Sequence, residues 1–305
     1  MSGVLAGFIV IGCVIAVGYV VARAGTLGPH AGTVLSRVAF SVATPALLFE
    51  TLAAADLDVV FSPTLAVISG AALLSAGLYA VVGAVRRWGV GRTTIGALGA
   101  SQVNAANLGI PIAVYVLGDA GAVAPVLLFQ LVLLVPLGLT VLDVTSADGD
   151  GSVWSRVLAP FRNPVLVASV AGLVVSGTGW TVPALLLEPI ELIGGLAVPA
   201  VLLAYGMSLH GSAVPGRGPE RWPVVLAVVL KLVVAPTTAW LLGSALGMDR
   251  SELLGVVVLS ALPAAQNLLT YAVTYRTGED LARETITLST VLSVPVLFVV
   301  AALLG

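Results

Sequence analysis

Ser101, Gln102, Asn104 and Asn107 crowd into seven consecutive positions and are followed by Gly109-Ile110-Pro111, in a stretch whose other side chains are apolar. Carboxamides are not nucleophiles or acid–base groups, but their N–H groups donate to an anion without neutralising it, so it can be bound and still released. Between Arg92 and Asp119 lie 26 uncharged residues, enough to cross a hydrocarbon core of ~30 Å at ~1.5 Å per residue. Proline removes a backbone donor and clashes with the preceding turn, so the helix is predicted to break near Asn107–Pro111 and to restart with Pro111 at its first position. Non-helical backbone at this depth needs protein or a water-filled cavity around it, and the new half-helix points a positive dipole end there. The expectation is a mid-membrane anion site.

A second uncharged run, between Glu252 and Arg276, has Leu262-Pro263-Ala264-Ala265-Gln266-Asn267 at its middle. A shift of 160 positions lays Asn107-Leu108 on Asn267-Leu268, Tyr115 on Tyr275, Gly118 on Gly278 and Asp119 on Glu279. Pro45 and Pro199 correspond at a shift of 154. A duplicated unit with an odd number of spans inverts its second copy, and paired interrupted helices in inverted repeats are the pattern of a secondary transporter with its site at the midplane.

The elements positioning these residues follow from hydropathy. Ten apolar segments run at roughly 3–22, 36–54, 61–85, 93–117, 120–142, 164–182, 183–209, 222–246, 252–275 and 283–304. The expected fold is an all-α integral membrane protein of ten transmembrane helices, built as two inverted five-helix repeats, 1–142 and 164–305, joined by a cytoplasmic linker at 143–163. Helices four and nine are the broken pair, at Pro111 and Pro263. Of the thirteen Lys and Arg residues, eleven lie in odd-numbered connections, which places those in the cytoplasm and both termini outside.

Two further polar residues lie within segments. Lys231 in segment eight either serves the substrate route or reaches along its four-carbon stem to the cytoplasmic surface. Gln130 in segment five is a candidate ligand, whereas Thr287, Ser289, Thr290 and Ser293 in segment ten are read as hydroxyls satisfied by backbone or a neighbouring helix. Glu50, near the external end of segment two, is read as interfacial. Pro45 and Pro199 follow small residues and are read as kinks that shape the scaffold.

A composition 59% hydrophobic and 9% charged excludes a soluble domain of this length. The lone Cys13 cannot form an intramolecular disulfide, and His30 and His210 sit in loops without metal-ligand spacing, so no metal or cofactor is expected. No Ser/His/Asp or Cys/His constellation, phosphate loop or basic nucleic-acid patch is present, and an enzyme is not expected.

The residues resemble the auxin efflux carrier family, within the group that includes bile-acid/sodium symporters. The likeness is carried by Leu35-Ser36-Arg37 with Thr44-Pro45-Ala46-Leu47-Leu48, Asn107-Leu108-Gly109-Ile110-Pro111 with Tyr115 and Leu117-Gly118-Asp119, Lys231 with Pro236, Leu262-Pro263-Ala264-Ala265-Gln266-Asn267 with Tyr275, and Leu288-Ser289-Thr290-Val291-Leu292-Ser293. The resemblance implies a scaffold of helices 1, 2, 6 and 7 and a transport domain of helices 3–5 and 8–10 moving as an elevator, with helices four and nine crossing at Pro111 and Pro263. It implies transport of small organic anions, auxin-like or dicarboxylic, across the plasma membrane. Asn107, Asn267, Gln266, Gln102, Gln130 and Lys231 are the expected substrate contacts. A sodium-coupled symporter of the bile-acid type is the alternative. The partners expected are the anion and the lipid bilayer, and a homodimer is left open.

Overall fold

The computed structural model describes residues 2–28, 30–54, 63–145, 164–210 and 220–305. From residue 146 onward the predicted linker lies outside the described residues, as do Asp56, Asp58, Arg156, Arg162 and Arg217. Among the described residues the structure is all helical, with no strand.

In chain order the helices are α1 (Ser2–Ala24), α2 (Ala31–Ala53), α3 (Pro63–Val85), α4 (Val90–Ser101), α5 (Ala105–Leu117), α6 (Ala120–Val144), α7 (Pro164–Thr178), α8 (Ala184–Gly194), α9 (Ala197–Leu209), α10 (Arg221–Ala245), α11 (Arg250–Ser260), α12 (Asn267–Thr274) and α13 (Glu279–Leu304). Six stretches are long and apolar enough to cross a membrane: α2, α3, α6, α8 with α9 over Ala184–Met207, α10 and α13. Two compact units emerge, interleaved along the chain. The first gathers the described parts of Met1–Ser62, Ala106–Leu127 and Phe161–Ala213; the second, of Pro63–Ala105, Leu128–Pro160 and Val214–Gly305.

Within a bilayer, lipid tails are as apolar as leucine, so helices associate by close packing rather than by escape from water. Small residues let backbones approach. In the first unit α1 packs along α9, and Gly206 presses so close to α1 that a β-carbon on it would stand 2.0 Å from the Ile15 carbonyl oxygen. In the same unit α7 packs on α2. In the second unit α3 packs on α4, α10 on α3 and α11, and α13 on α10, α11 and α12. Its core includes Ile95, Leu98, Leu142, Val224, Leu268 and Leu281. Tyr79, fully buried, fills the space above Gly96, where a β-carbon would lie 2.1 Å from its ring.

A recurrent device governs the helix interiors. Widened π turns at Ala39–Ala43, Ala105–Gly109, Gln130–Leu134 and Leu230–Val234 each end two residues before a proline, Pro45, Pro111, Pro136 and Pro236 respectively. Proline leaves the carbonyl four residues earlier without its donor and strikes it with its ring; that carbonyl is in every case inside the π turn, where the wider coil gives it room.

This corrects the expected break. Pro111 does not interrupt the helix: it lies six residues into α5, absorbed by the preceding π turn. The interruption is at Gln102–Asn104, where Gln102 is extended at φ −70° and ψ 130° between the end of α4 and the start of α5. Pro263 sits, as expected, in the second interruption, between the end of α11 at Ser260 and the start of α12 at Asn267. On the shift of 160, Gln102–Asn104 falls on Leu262–Ala264.

Candidate functional site

The two interruptions meet inside the second unit. Val103 and Ala264 form an isolated antiparallel bridge, and the Asn104 N–H donates to the Pro263 carbonyl at 2.8 Å. The crossing therefore involves Val103 and Asn104 with Pro263 and Ala264, and Pro111 has no part in it. Each interruption frees backbone donors that lipid cannot satisfy. The Val103 N–H donates to Gln130 Oε1 at 2.5 Å, from α6. The Ala264 N–H donates to Ser289 Oγ at 3.1 Å, from α13, and that hydroxyl in turn donates to the Ile286 carbonyl. In both cases a side chain of the helix that follows the interrupted pair, α6 after α4 and α5 or α13 after α11 and α12, holds the break open.

Gln130 thus spends its carbonyl oxygen on backbone rather than on a ligand. Leaving a buried donor unmet costs about 1–3 kcal/mol. Gln130→Leu and Ser289→Ala are each expected to lower stability by about that much, read as a drop in the thermal unfolding midpoint of purified protein, whereas Thr287→Ala, whose hydroxyl only returns to the Arg283 carbonyl, should change little.

Lys231 lies on the π turn of α10 and is 1% exposed. Its Nζ donates to the carbonyls of Ser101 and Ser260, each at 3.4 Å. These are the last residues of α4 and α11, so the ammonium faces two helix C-termini, where orphan carbonyls and a partial negative charge gather. It does not reach along its stem to a membrane surface.

On the polar side of the crossing are groups with spare capacity. Asn104 Nδ2 and Gln102 Oε1 are buried without a hydrogen-bond partner, on residues 4% exposed, and flank Val103 on the extended segment. The Tyr271 hydroxyl lies in hydrogen-bonding reach of the Gln102 and Asn267 side chains. Asn267 opens α12 beside Gln266; both are exposed, and no side chain caps that helix end. The structure therefore gathers Gln102, Gln130, Lys231, Pro263, Gln266 and Asn267 in one unit, while Asn107, on the π turn Ala105–Gly109, and Pro111 belong to the other. Tyr271 was not singled out by the sequence; Asn104 was noted in the polar cluster but not ranked as a ligand, and Ser289 is bonded to backbone, as expected. Matching the two breaks rather than the two asparagines is the signal that points to Asn104. The combination of a buried amide donor, an adaptable carboxamide, a phenol and an uncapped helix N-terminus suits a small anion with further hydrogen-bonding oxygens.

A family model described as "Membrane transport protein" matches residues 4–143 and 153–301. The chain belongs to that family, the auxin efflux carriers. A relative, an "Uncharacterized transporter" of Methanothermobacter thermautotrophicus, is 25% identical over 284 residues, covering 90% of each chain. As an auxin efflux carrier family member the chain is a multi-pass membrane transport protein, which agrees with the six helical stretches long and apolar enough to cross a membrane.

Proposed function

We propose that this protein carries small organic anions, carboxylates of the auxin-like or dicarboxylic type, across the plasma membrane as a secondary transporter. The observation that carries this reading is the unpartnered, buried Nδ2 of Asn104 at the crossing, in a neighbourhood that also contains Gln102, Tyr271, Asn267 and the uncapped start of α12. A buried donor without an acceptor costs free energy that a bound carboxylate oxygen recovers. Neutral donors also let the anion leave, since none adds a full opposite charge.

Alternating access follows in the proposal from motion of the second unit, which holds the crossing, against the first, which holds α1, α2, nearly all of α5, the start of α6, and α7, α8 and α9. Support comes from the way each unit carries its own close packing, through Gly206 and Ile15 in one and Tyr79 and Gly96 in the other. The full proposal keeps ten spans in two inverted repeats. Uptake of radiolabelled malonate, malate and indole-3-acetate into proteoliposomes tests the substrate class; no accumulation of any of them above empty vesicles sinks it.

The proposed topology puts both termini outside and the linker inside. In a background lacking Cys13, single cysteines at Ser2 and Gly305 should react with an impermeant maleimide on intact cells, and one at Ser152 only after permeabilisation. External labelling at Ser152 overturns the orientation.

A further inference from the structure

We infer that Lys231 is a built-in cation, standing where a coupling sodium ion would otherwise sit between the ends of α4 and α11, so that this transporter works without sodium. In transporters with discontinuous helices, unwound carbonyls and half-helix C-termini are the groups that coordinate a coupling cation. Here the two that meet, at Ser101 and Ser260, are both occupied by the ammonium of one side chain.

Charge balance supports the same conclusion. Each helix C-terminus carries roughly half a negative charge, so the pair amounts to about one, and one ammonium cancels it. Among the described residues the ion pairs are Arg92 with Glu220 and Arg283 with Asp280, and none involves Lys231. No carboxylate therefore competes with the two carbonyls for the ammonium. A lysine without a carboxylate partner at this depth is costly, and the converging carbonyls are the compensation the fold provides. A sodium ion arriving at the occupied site would add a second positive charge where one already satisfies the dipoles.

Removing the side chain should uncover a cation site. The Ser101 and Ser260 carbonyls would lose their donor, and next to them in sequence stand two further oxygens, Gln102 Oε1 and Ser260 Oγ, that are buried and unpartnered. An all-oxygen set of this kind suits a hard cation. The inference rests on the crossing geometry and not on the identity of the anion, so the uptake assay and the sodium assay can fail separately.

The test uses purified full-length protein, radioactive sodium as the probe, and thermal unfolding in sodium chloride against choline chloride at equal ionic strength. Wild type is expected to show no saturable sodium binding and the same unfolding midpoint in both salts. Lys231→Ala should gain saturable sodium binding, displaced by unlabelled sodium but not by choline, and an upward shift of its midpoint in sodium. Lys231→Gln should behave likewise, and Lys231→Arg, which keeps the charge, should behave as wild type. Saturable sodium binding by wild type overturns the inference. So does an Ala or Gln variant that is folded yet blind to sodium, and so does failure of both variants to fold in sodium as in choline, because the ion would then not replace the ammonium.

Discussion

Asn104→Asp is expected to weaken binding of malonate to the purified protein about a thousandfold. The substitution keeps the shape of the side chain and exchanges a donating N–H pair for a negative charge. At ~4 Å and an effective dielectric of ~20 the added repulsion is about 4 kcal/mol, and each ~1.4 kcal/mol is a factor of ten in affinity. Asn104→Ala only deletes one hydrogen bond to a charged acceptor, worth roughly 1.5–3 kcal/mol, or about ten- to a hundredfold. The ranking, Asp below Ala below wild type, should repeat at Asn267 with smaller steps, because Asn267 is exposed and water screens the charge. Equilibrium binding decides the matter, with malate and indole-3-acetate as parallel probes. A folded Asn104→Asp protein that binds them as tightly as wild type removes Asn104 from the site.

Gly206→Ala is expected to cost about 3 kcal/mol or more of stability, the upper end for overpacking, because the atom in the way is backbone. A β-carbon at Gly206 would stand 2.0 Å from the Ile15 carbonyl oxygen and 3.0 Å from Gly18 Cα; one at Gly18 would stand 2.3 Å from the Leu203 carbonyl oxygen. A flexible side chain can swing aside. Two helix backbones cannot, so α1 and α9 must separate along their whole contact. Gly12→Ala, in the same helix α1 with nothing within 4 Å of the new carbon, is the control and should be neutral or mildly stabilising. Equal unfolding midpoints for the Gly206 and Gly12 variants contradict the close-packing account.

The parts of this fold carried by composition and period were legible in the sequence: long uncharged runs, polar residues at their middles, and Pro263 within a break. The first break was misplaced because Pro111 is the strongest local disruptor in its run, yet a π turn absorbs it. The break at Gln102–Asn104 has no such local cause. Its backbone groups are held by Gln130, 27 residues from Val103, and by Pro263, far along the chain, so nothing near it in sequence marks it. For the same reason Asn107 was preferred to Asn104, since only the structure distinguishes an amide with a spare donor. Lys231 was visible as a costly charge, but its two carbonyl partners come from helices 130 and 29 residues away.

An ammonium fixed to α10 also has an electrical consequence. On the proposed cycle it goes out and returns with its helix, contributing no net displacement of charge, so the current per turnover is that of the cargo alone. A singly charged carboxylate moving without a companion cation feels the full membrane potential, about 2.3 kcal/mol for every 100 mV. With the cytoplasm negative, that gradient pushes the anion outward and sustains a roughly fiftyfold excess outside over inside at 100 mV. A carrier of this design needs no ion pump of its own to export, because the voltage across the membrane supplies the direction.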